Sequence, residues 1–187
     1  MTNFYDLTTK KTEQIQNKGT EVGWSKKTYR IERNYIEAKD LSKIKEEARS
    51  SKADLQIYVG QTTQEKVREV SQVPEIDIIQ NPGKNKKFRG VDKPTAENAQ
   101  KNQVMLIYTF KHIKKGTKKE RAQKLSDIRE TIMICGKYGT KYGISTGAQN
   151  QWDLRSPHNI KTFIENLGGH GKKSIQEWPK EKIQGDS

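Results

Sequence analysis

The stretch VMLIYTF, residues 104–110, is the most apolar run in the chain, bracketed by Gln103 and Lys111. It is far too short to cross a membrane, which takes about 18 apolar residues. Its run is continuous rather than spaced at helical intervals, so it reads as a strand buried on both faces, as strands of parallel sheets are. Parallel strands must be joined by crossovers of a dozen or more residues, usually helices. That requirement organises the rest of the sequence.

The required alternation is present. Strand-like runs occupy 3–7, 28–31, 54–60, 75–79, 104–110 and 141–146, six in all. Helical patterns lie between or after them at 12–23, 40–51, 63–73, 93–103, 118–139 and 159–169. Ala122, Leu125, Ile128, Ile132 and Cys135 make one apolar stripe on the longest helix, and Ile160, Phe163, Ile164 and Leu167 do so on the last. Strand and helix in turn define an α/β class with a parallel sheet. A full eight-unit barrel takes about 250 residues, and the chain has 187. A compact or partial TIM-like (β/α) barrel is therefore expected, with a doubly wound open sheet as the alternative. The segment DLTTKKT after the first run has no glycine, so the dinucleotide fingerprint of many doubly wound folds is missing. One domain is expected over 1–169, followed by a basic, disordered tail over 170–187.

Charge narrows the partners. The net charge is +13 and hydrophobic residues make up 30% of the chain. The expected partner is a polyanion, RNA or DNA before an anionic membrane. Cys135 is the single cysteine, which rules out an internal disulfide and any zinc site needing two thiolates; in mid-helix it reads as a core residue. The opening MTNFYDLTTKK has no apolar signal region. A cytoplasmic location without membrane insertion is expected.

In parallel α/β folds functional groups gather on the loops that leave the carboxyl ends of the strands. Here those loops hold the charge. After 75–79 come Lys84, Lys86, Lys87 and Arg89, with Phe88 among them to stack on a base. After 104–110 come Lys111, Lys114, Lys115, Lys118, Lys119 and Arg121 against one acid, Glu120. After 141–146 comes STGAQNQWDLRSP, which carries Arg155. Lys84, Lys86, Lys87, Arg89, Lys114, Lys115, Lys118, Lys119, Arg121 and Arg155 are the expected phosphate contacts of an RNA-binding rim. Lys26, Lys27 and Arg30 would extend it. In the last loop Ser156 and Pro157 are a helix start, Asp153 pairs with Arg155 or with turn N–H groups, and Trp152 or Leu154 packs beneath. On local grounds the loop is either a structured strand-to-helix turn or a ligand loop.

No catalytic or metal-ligating set stands out. His112, His158 and His170 are the three histidines, no two of them at ligand-pair spacing, and Asp6 and Asp77 are isolated. Ser145 is not in a nucleophile elbow, and Cys135 has no histidine beside it.

STGAQNQWDLRSPHNIKTF (145–163) resembles the C-terminal signature of the archaeal ribonuclease P protein component 3 family, in which an Ala-Gln turn, a Trp-Asp pair and an Arg-x-Pro open the last helix. RAQKLSDIRETIMICGKYG (121–139) is similar to that family's preceding helix, the segment 76–104 to its central strand and Gly-x-Asp turn, and FYDL (4–7) to its first strand. Where many relatives have Gly-x-Asp-His, this chain has Gly90-Val91-Asp92-Lys93. The resemblance implies a TIM-like barrel related to metal-dependent phosphoesterases but without a working metal centre. It further implies a subunit of ribonuclease P, the endoribonuclease that removes 5′ leaders from precursor tRNA. The protein would bind no cofactor and have no active site of its own; the RNA subunit would cleave with Mg²⁺. Its partners would be the ribonuclease P RNA, protein component 2 with the other protein subunits, and precursor tRNA in the holoenzyme. The alternatives are a barrel phosphoesterase with an unrecognised metal site and a non-catalytic interaction scaffold.

Overall fold

A computed structural model describes residues 3–7, 9–60, 63–83 and 91–179. Five strands run through them: β1 (Arg33–Ile36), β2 (Leu55–Tyr58), β3 (Ile78–Gln80), β4 (Met105–Thr109) and β5 (Tyr142–Ser145). All neighbours are parallel, and the spatial order is the sequence order, β1-β2-β3-β4-β5. A doubly wound sheet reverses direction part-way along its order; this one never does. Continuous winding in one direction is the geometry of a barrel wall.

Among the described residues seven α-helices make the connections and flanks: α1 (Glu13–Glu21), α2 (Leu41–Ser50), α3 (Gln64–Val70), α4 (Lys93–Lys101), α5 (Phe110–Lys114), α6 (Lys118–Tyr138) and α7 (Pro157–Asn166). Strand side chains alternate between two cores. Ile36, Tyr58, Ile79 and Leu106 pack against the helices with Ile44, Val67, Ala96 and Cys135. Leu55, Ile57, Ile78, Met105 and Ile107 face the other way and form the inner core with Tyr5, Leu7, Ile31 and Trp178. A third cluster joins Tyr108 and Ile144 to α6, α7 and Trp24. Burial pushes the Cys135 thiol up to about 12, so it is a packing group and not a nucleophile.

Five strands stand where six were expected, because two runs fold otherwise. Residues 3–7 form no strand. Their apolar side chains Tyr5 and Leu7 are buried, but their backbone is held from outside the sheet. Tyr5 N donates to Ile175 O at 2.8 Å, and the half-buried Arg33 guanidinium donates to Leu7 O at 2.7 Å and to Asp6 O at 3.4 Å. The Asp6 carboxylate, fully buried, accepts from Thr146 N at 3.0 Å and from the hydroxyls of Ser145, Thr146 and Thr9. This segment thus bridges β5 to β1 through side chains. Residues 26–29, in turn, form a 3₁₀ turn capped by Ser25, and the strand begins only at Arg33.

The expected disordered tail differs over its described part. Residues 171–179 are helical, with a π-helical turn at Lys173–Glu177, and bury Ser174, Ile175 and Trp178. This helix lies on the edge of β5 that no strand pairs with, which keeps that edge from templating another chain. Gly143 permits the approach: a Cβ there would meet Ser174 O at 3.2 Å and Met105 Cε at 2.6 Å. Residues 180–187 lie outside the described residues.

Asp92, of the Gly-x-Asp stretch, caps α4. Its carboxylate accepts from Thr95 N at 3.0 Å, from Gln64 Nε2 at 2.8 Å and from the Arg68 guanidinium. Partial burial opposes its ionisation, but these donors outweigh it and hold the acid below its usual range. A lowered folded-state pKa means stability that is full above the unfolded value of about 3.9 and lost as pH falls through the folded value. Asp92→Asn should therefore cost stability at neutral pH, with the gap to wild type closing in urea melts below about pH 4. Asp6→Ala leaves four buried donors without their acceptor and should destabilise the fold by at least about 1–3 kcal/mol, measured by denaturant unfolding at pH 7.

Candidate nucleic-acid interface

The carboxyl ends of β3, β4 and β5 are tied into one rim. Asn81, just past β3, has φ 53°, a left-handed conformation that asparagine tolerates better than most residues. Its Oδ1 accepts from Thr109 N at 2.8 Å and Thr109 Oγ1 at 3.2 Å. Beyond β5, Gly147 turns with φ 59°, and a Cβ there would strike Thr109 Cβ at 2.6 Å. Lys111 N donates to Thr146 O at 3.2 Å. The loop after β4 therefore lies directly against the loop after β5.

That second loop is rigidly built. Asn150 Oδ1 accepts from Trp152 N at 3.0 Å and Asp153 N at 3.2 Å, starting a 3₁₀ turn over Gln151–Asp153. Asp153 Oδ2 accepts from Gln149 N at 3.3 Å. Leu154 is buried, Ser156 caps α7 and Pro157 occupies its first turn. From across the fold, Trp24 Nε1 donates to Arg155 O at 2.8 Å. The side chain of Arg155 donates to Trp152 O at 3.2 Å and Leu154 O at 2.7 Å and lies 5.4 Å from the Phe110 ring centre. Phe110 in turn meets Phe163 edge-on at 5.4 Å. Of the two side chains expected beneath the loop, Leu154 packs there and Trp152 does not: it is 80% exposed.

The cations converge on the same rim. Lys111 reaches Gln149, and Lys114 lies 3.9 Å from Asp153. Lys115, Lys118, Lys119 and Arg121 are exposed, and no ion pair among the described residues engages them. They project because α6 begins clear of the core: Ala122 is exposed, Leu125 half-buried, and full burial starts only at Ile128. The expected stripe thus holds for the inner turns and fails for the first. Thr117 and Glu120 close a capping box there, so the positive end of the helix dipole faces the same rim. Lys124 folds back onto His112 O at 3.0 Å and Lys115 O at 2.6 Å, shaping the loop; burial lowers its pKa. Lys26, Lys27 and Arg30 are exposed on and after the 3₁₀ turn that follows Trp24. Lys84, Lys86, Lys87 and Arg89, with Phe88, lie outside the described residues. The chain leaves the described part toward them at Gly83, two residues past Asn81.

The carboxylates do not assemble. Asp6 sits at the carboxyl end of β5, whereas Asp77 precedes β3 and accepts from Gln56 N at 2.7 Å at the opposite end of the sheet. His112 is on α5, His158 on α7 and His170 beyond it. Among the described residues, no three His, Cys, Asp or Glu side chains are placed to hold a metal ion. No described helix is long and apolar enough to cross a membrane.

The chain's relatives point the same way as its rim. Ribonuclease P protein component 3 of Methanocaldococcus jannaschii is 26% identical over 100 residues, which cover 54% of this chain and 43% of that protein. Its counterpart from Methanosarcina barkeri is 27% identical over 95 residues, covering 51% and 39%. The matched stretch thus spans less than half of either relative. A chain in a cryo-EM structure of archaeal ribonuclease P with mature tRNA superposes with a TM-score of 0.70 at 22% identity, covering 80% of this chain and 65% of that one, which supports the barrel-like fold. The family model RNase P subunit p30 matches residues 8–181, and the chain belongs to that family.

The cross-fold pin on this loop is testable without a ligand. Trp24→Phe removes the N–H bonded to Arg155 O and should cost about 1–3 kcal/mol. Amide hydrogen exchange at 150–155 should quicken more than exchange in β2 or β4.

Proposed function

We propose that the chain serves as a protein subunit of ribonuclease P, holding the RNA subunit through the rim formed by the loops after β4 and β5. The observation that carries this reading is the junction of those loops. It gathers Lys111, Lys114 and Arg155 with the exposed Lys115, Lys118, Lys119 and Arg121 at the carboxyl end of the sheet. Family membership supplies the kind of polyanion. Each lysine or arginine that neutralises a phosphate releases a condensed counterion, so affinity falls steeply with salt. Bringing RNA segments together concentrates phosphate charge. Cations fixed on a rigid rim offset that repulsion and reduce the Mg²⁺ the RNA needs to fold.

On this reading the chain binds and positions. The RNA carries out Mg²⁺-dependent cleavage of the precursor-tRNA leader, and the protein contributes no reacting group and holds no cofactor. Protein component 2 and the other protein subunits share the RNA with it, in a reducing cytoplasm. Lys84, Lys86, Lys87 and Arg89 join the contacts, because they follow β3 in sequence, and Asn81, just past β3, is tied to Thr109 at the end of β4.

Reconstitution of leader removal from precursor tRNA, with RNA and partner subunits at limiting Mg²⁺, tests the proposal. Cleavage should rise when this chain is added, and indifference to it would refute the subunit role. Replacing Lys114, Lys115, Lys118 and Lys119 together by alanine should reduce the slope of log K against log salt for RNA binding by about 3, at roughly 0.7 per phosphate contact. An unchanged slope would remove these four from the interface.

A further inference from the structure

Trp152 is the most exposed large apolar side chain described, at 80%, ahead of Met133 at 64% and Tyr35 at 43%. A single exposed apolar residue is ordinary on a protein surface, but an exposed indole on a backbone fixed from both sides is not. Asn150 accepts from Trp152 N at 3.0 Å. Arg155 donates to Trp152 O at 3.2 Å. Behind them, Asp153 is held by Gln149 N at 3.3 Å, and the loop is anchored by buried Leu154 and by the Trp24 bond to Arg155 O at 2.8 Å. The ring has little backbone freedom left to lose when something stacks on it, which is the condition for tight contact by a rigid aromatic anchor. Its neighbours in the loop pair are Lys114, which lies 3.9 Å from Asp153, and Arg155.

An indole face beside lysine and arginine heads matches one ligand chemistry, an unpaired nucleotide. The base has a π-face to stack and the phosphate a charge to neutralise, as in proteins that grip single strands. A membrane offers anionic headgroups but would be entered by a cluster of apolar side chains, and the other exposed large apolar side chains described, Met133 and Tyr35, lie on α6 and β1 and not on this loop. We propose that Trp152 is a stacking platform for an unpaired base of the bound RNA, with Lys114 and Arg155 taking the flanking phosphates. The proposal rests on the RNA-binding reading of the rim and adds to it that the site selects single-stranded over duplex RNA.

The full chain should be titrated with a twelve-residue oligoadenylate, with a fully paired RNA duplex, and with heparin, a polyanion without bases. Trp24 and Trp178 are buried, at 2% and 6% exposure, so quenching of exposed tryptophan emission reports Trp152. Oligoadenylate should quench it and heparin should not. Trp152→Ala should weaken oligoadenylate binding about 5- to 100-fold while heparin binding and the salt slope stay as they were. Trp152→Phe should recover most of the affinity. Equal losses for oligoadenylate and heparin, or no loss for either, would overturn the stacking role while leaving the basic rim intact. Undiminished RNA binding with loss of a protein partner would make Trp152 a protein contact and overturn it too. If the wild-type chain binds neither oligoadenylate nor duplex, the RNA reading itself falls and this inference with it.

Discussion

The segment around Asp6 connects the two outermost strands of the sheet, through the buried carboxylate on one side and backbone carbonyls on the other. The carboxylate accepts from Thr146 N and from the hydroxyls of Ser145, Thr146 and Thr9 at the end of β5. Meanwhile Arg33 of β1 donates to the carbonyls of Asp6 and Leu7. A five-stranded parallel sheet needs other segments to cover its inner face. Without a bridge, Leu55, Ile57, Ile78, Met105 and Ile107 would have nothing to pack against on one side. The N-terminal segment supplies Tyr5 and Leu7 to that core, and the C-terminal helix supplies Trp178. Residues 3–7 and 171–179 thus cover the inner face of the sheet beside its two outermost strands.

The same bridge places the functional rim. Thr146 is held by Asp6 on one side and accepts from Lys111 N on the other, so the β5 loop and the β4 loop inherit their positions from the closure. Asn81 extends the tie to the end of β3. Rigidity matters here because flexible lysines lose entropy on binding, whereas cations on a shared, hydrogen-bonded frame lose less. A sheet wound this way can therefore hold the cations proposed to meet phosphates at its carboxyl end, where parallel α/β folds gather functional groups.

Sequence patterning reveals what depends on local periodicity. The strands at 54–60 and 104–110 and the helices at 40–51, 93–103 and 118–139 follow from apolar spacing and end signals, and the structure has them within a few residues. What depends on distant partners stays hidden. NFYDL has a strand's composition, yet its backbone bonds go to Arg33 and Ile175, so no strand forms. TYRI is buried at Tyr29 and Ile31 but in a capped turn, and the strand is displaced to Arg33–Ile36. Ile175 and Trp178 are two apolar residues in a polar stretch, too few to show a period, and both are buried against the barrel. The basic stretch after β4 was legible because charge runs show in the sequence itself. Which of Trp152 and Leu154 would face solvent was not, since that turns on the hydrogen bonds of Asn150 and Asp153.

The proposed function requires RNA to meet this protein at the rim around α5, the start of α6 and the 149–156 loop. Hydroxyl-radical footprinting of the full chain, free and bound to ribonuclease P RNA alone, tests this, because Trp152 and Met133 report from separate places: Met133 lies about 22 Å along α6 from its start at Lys118. Trp152 should be protected by the RNA, while Met133 keeps its free-state reactivity. Protection at Met133 with Trp152 left reactive would place the RNA elsewhere and refute the proposed rim.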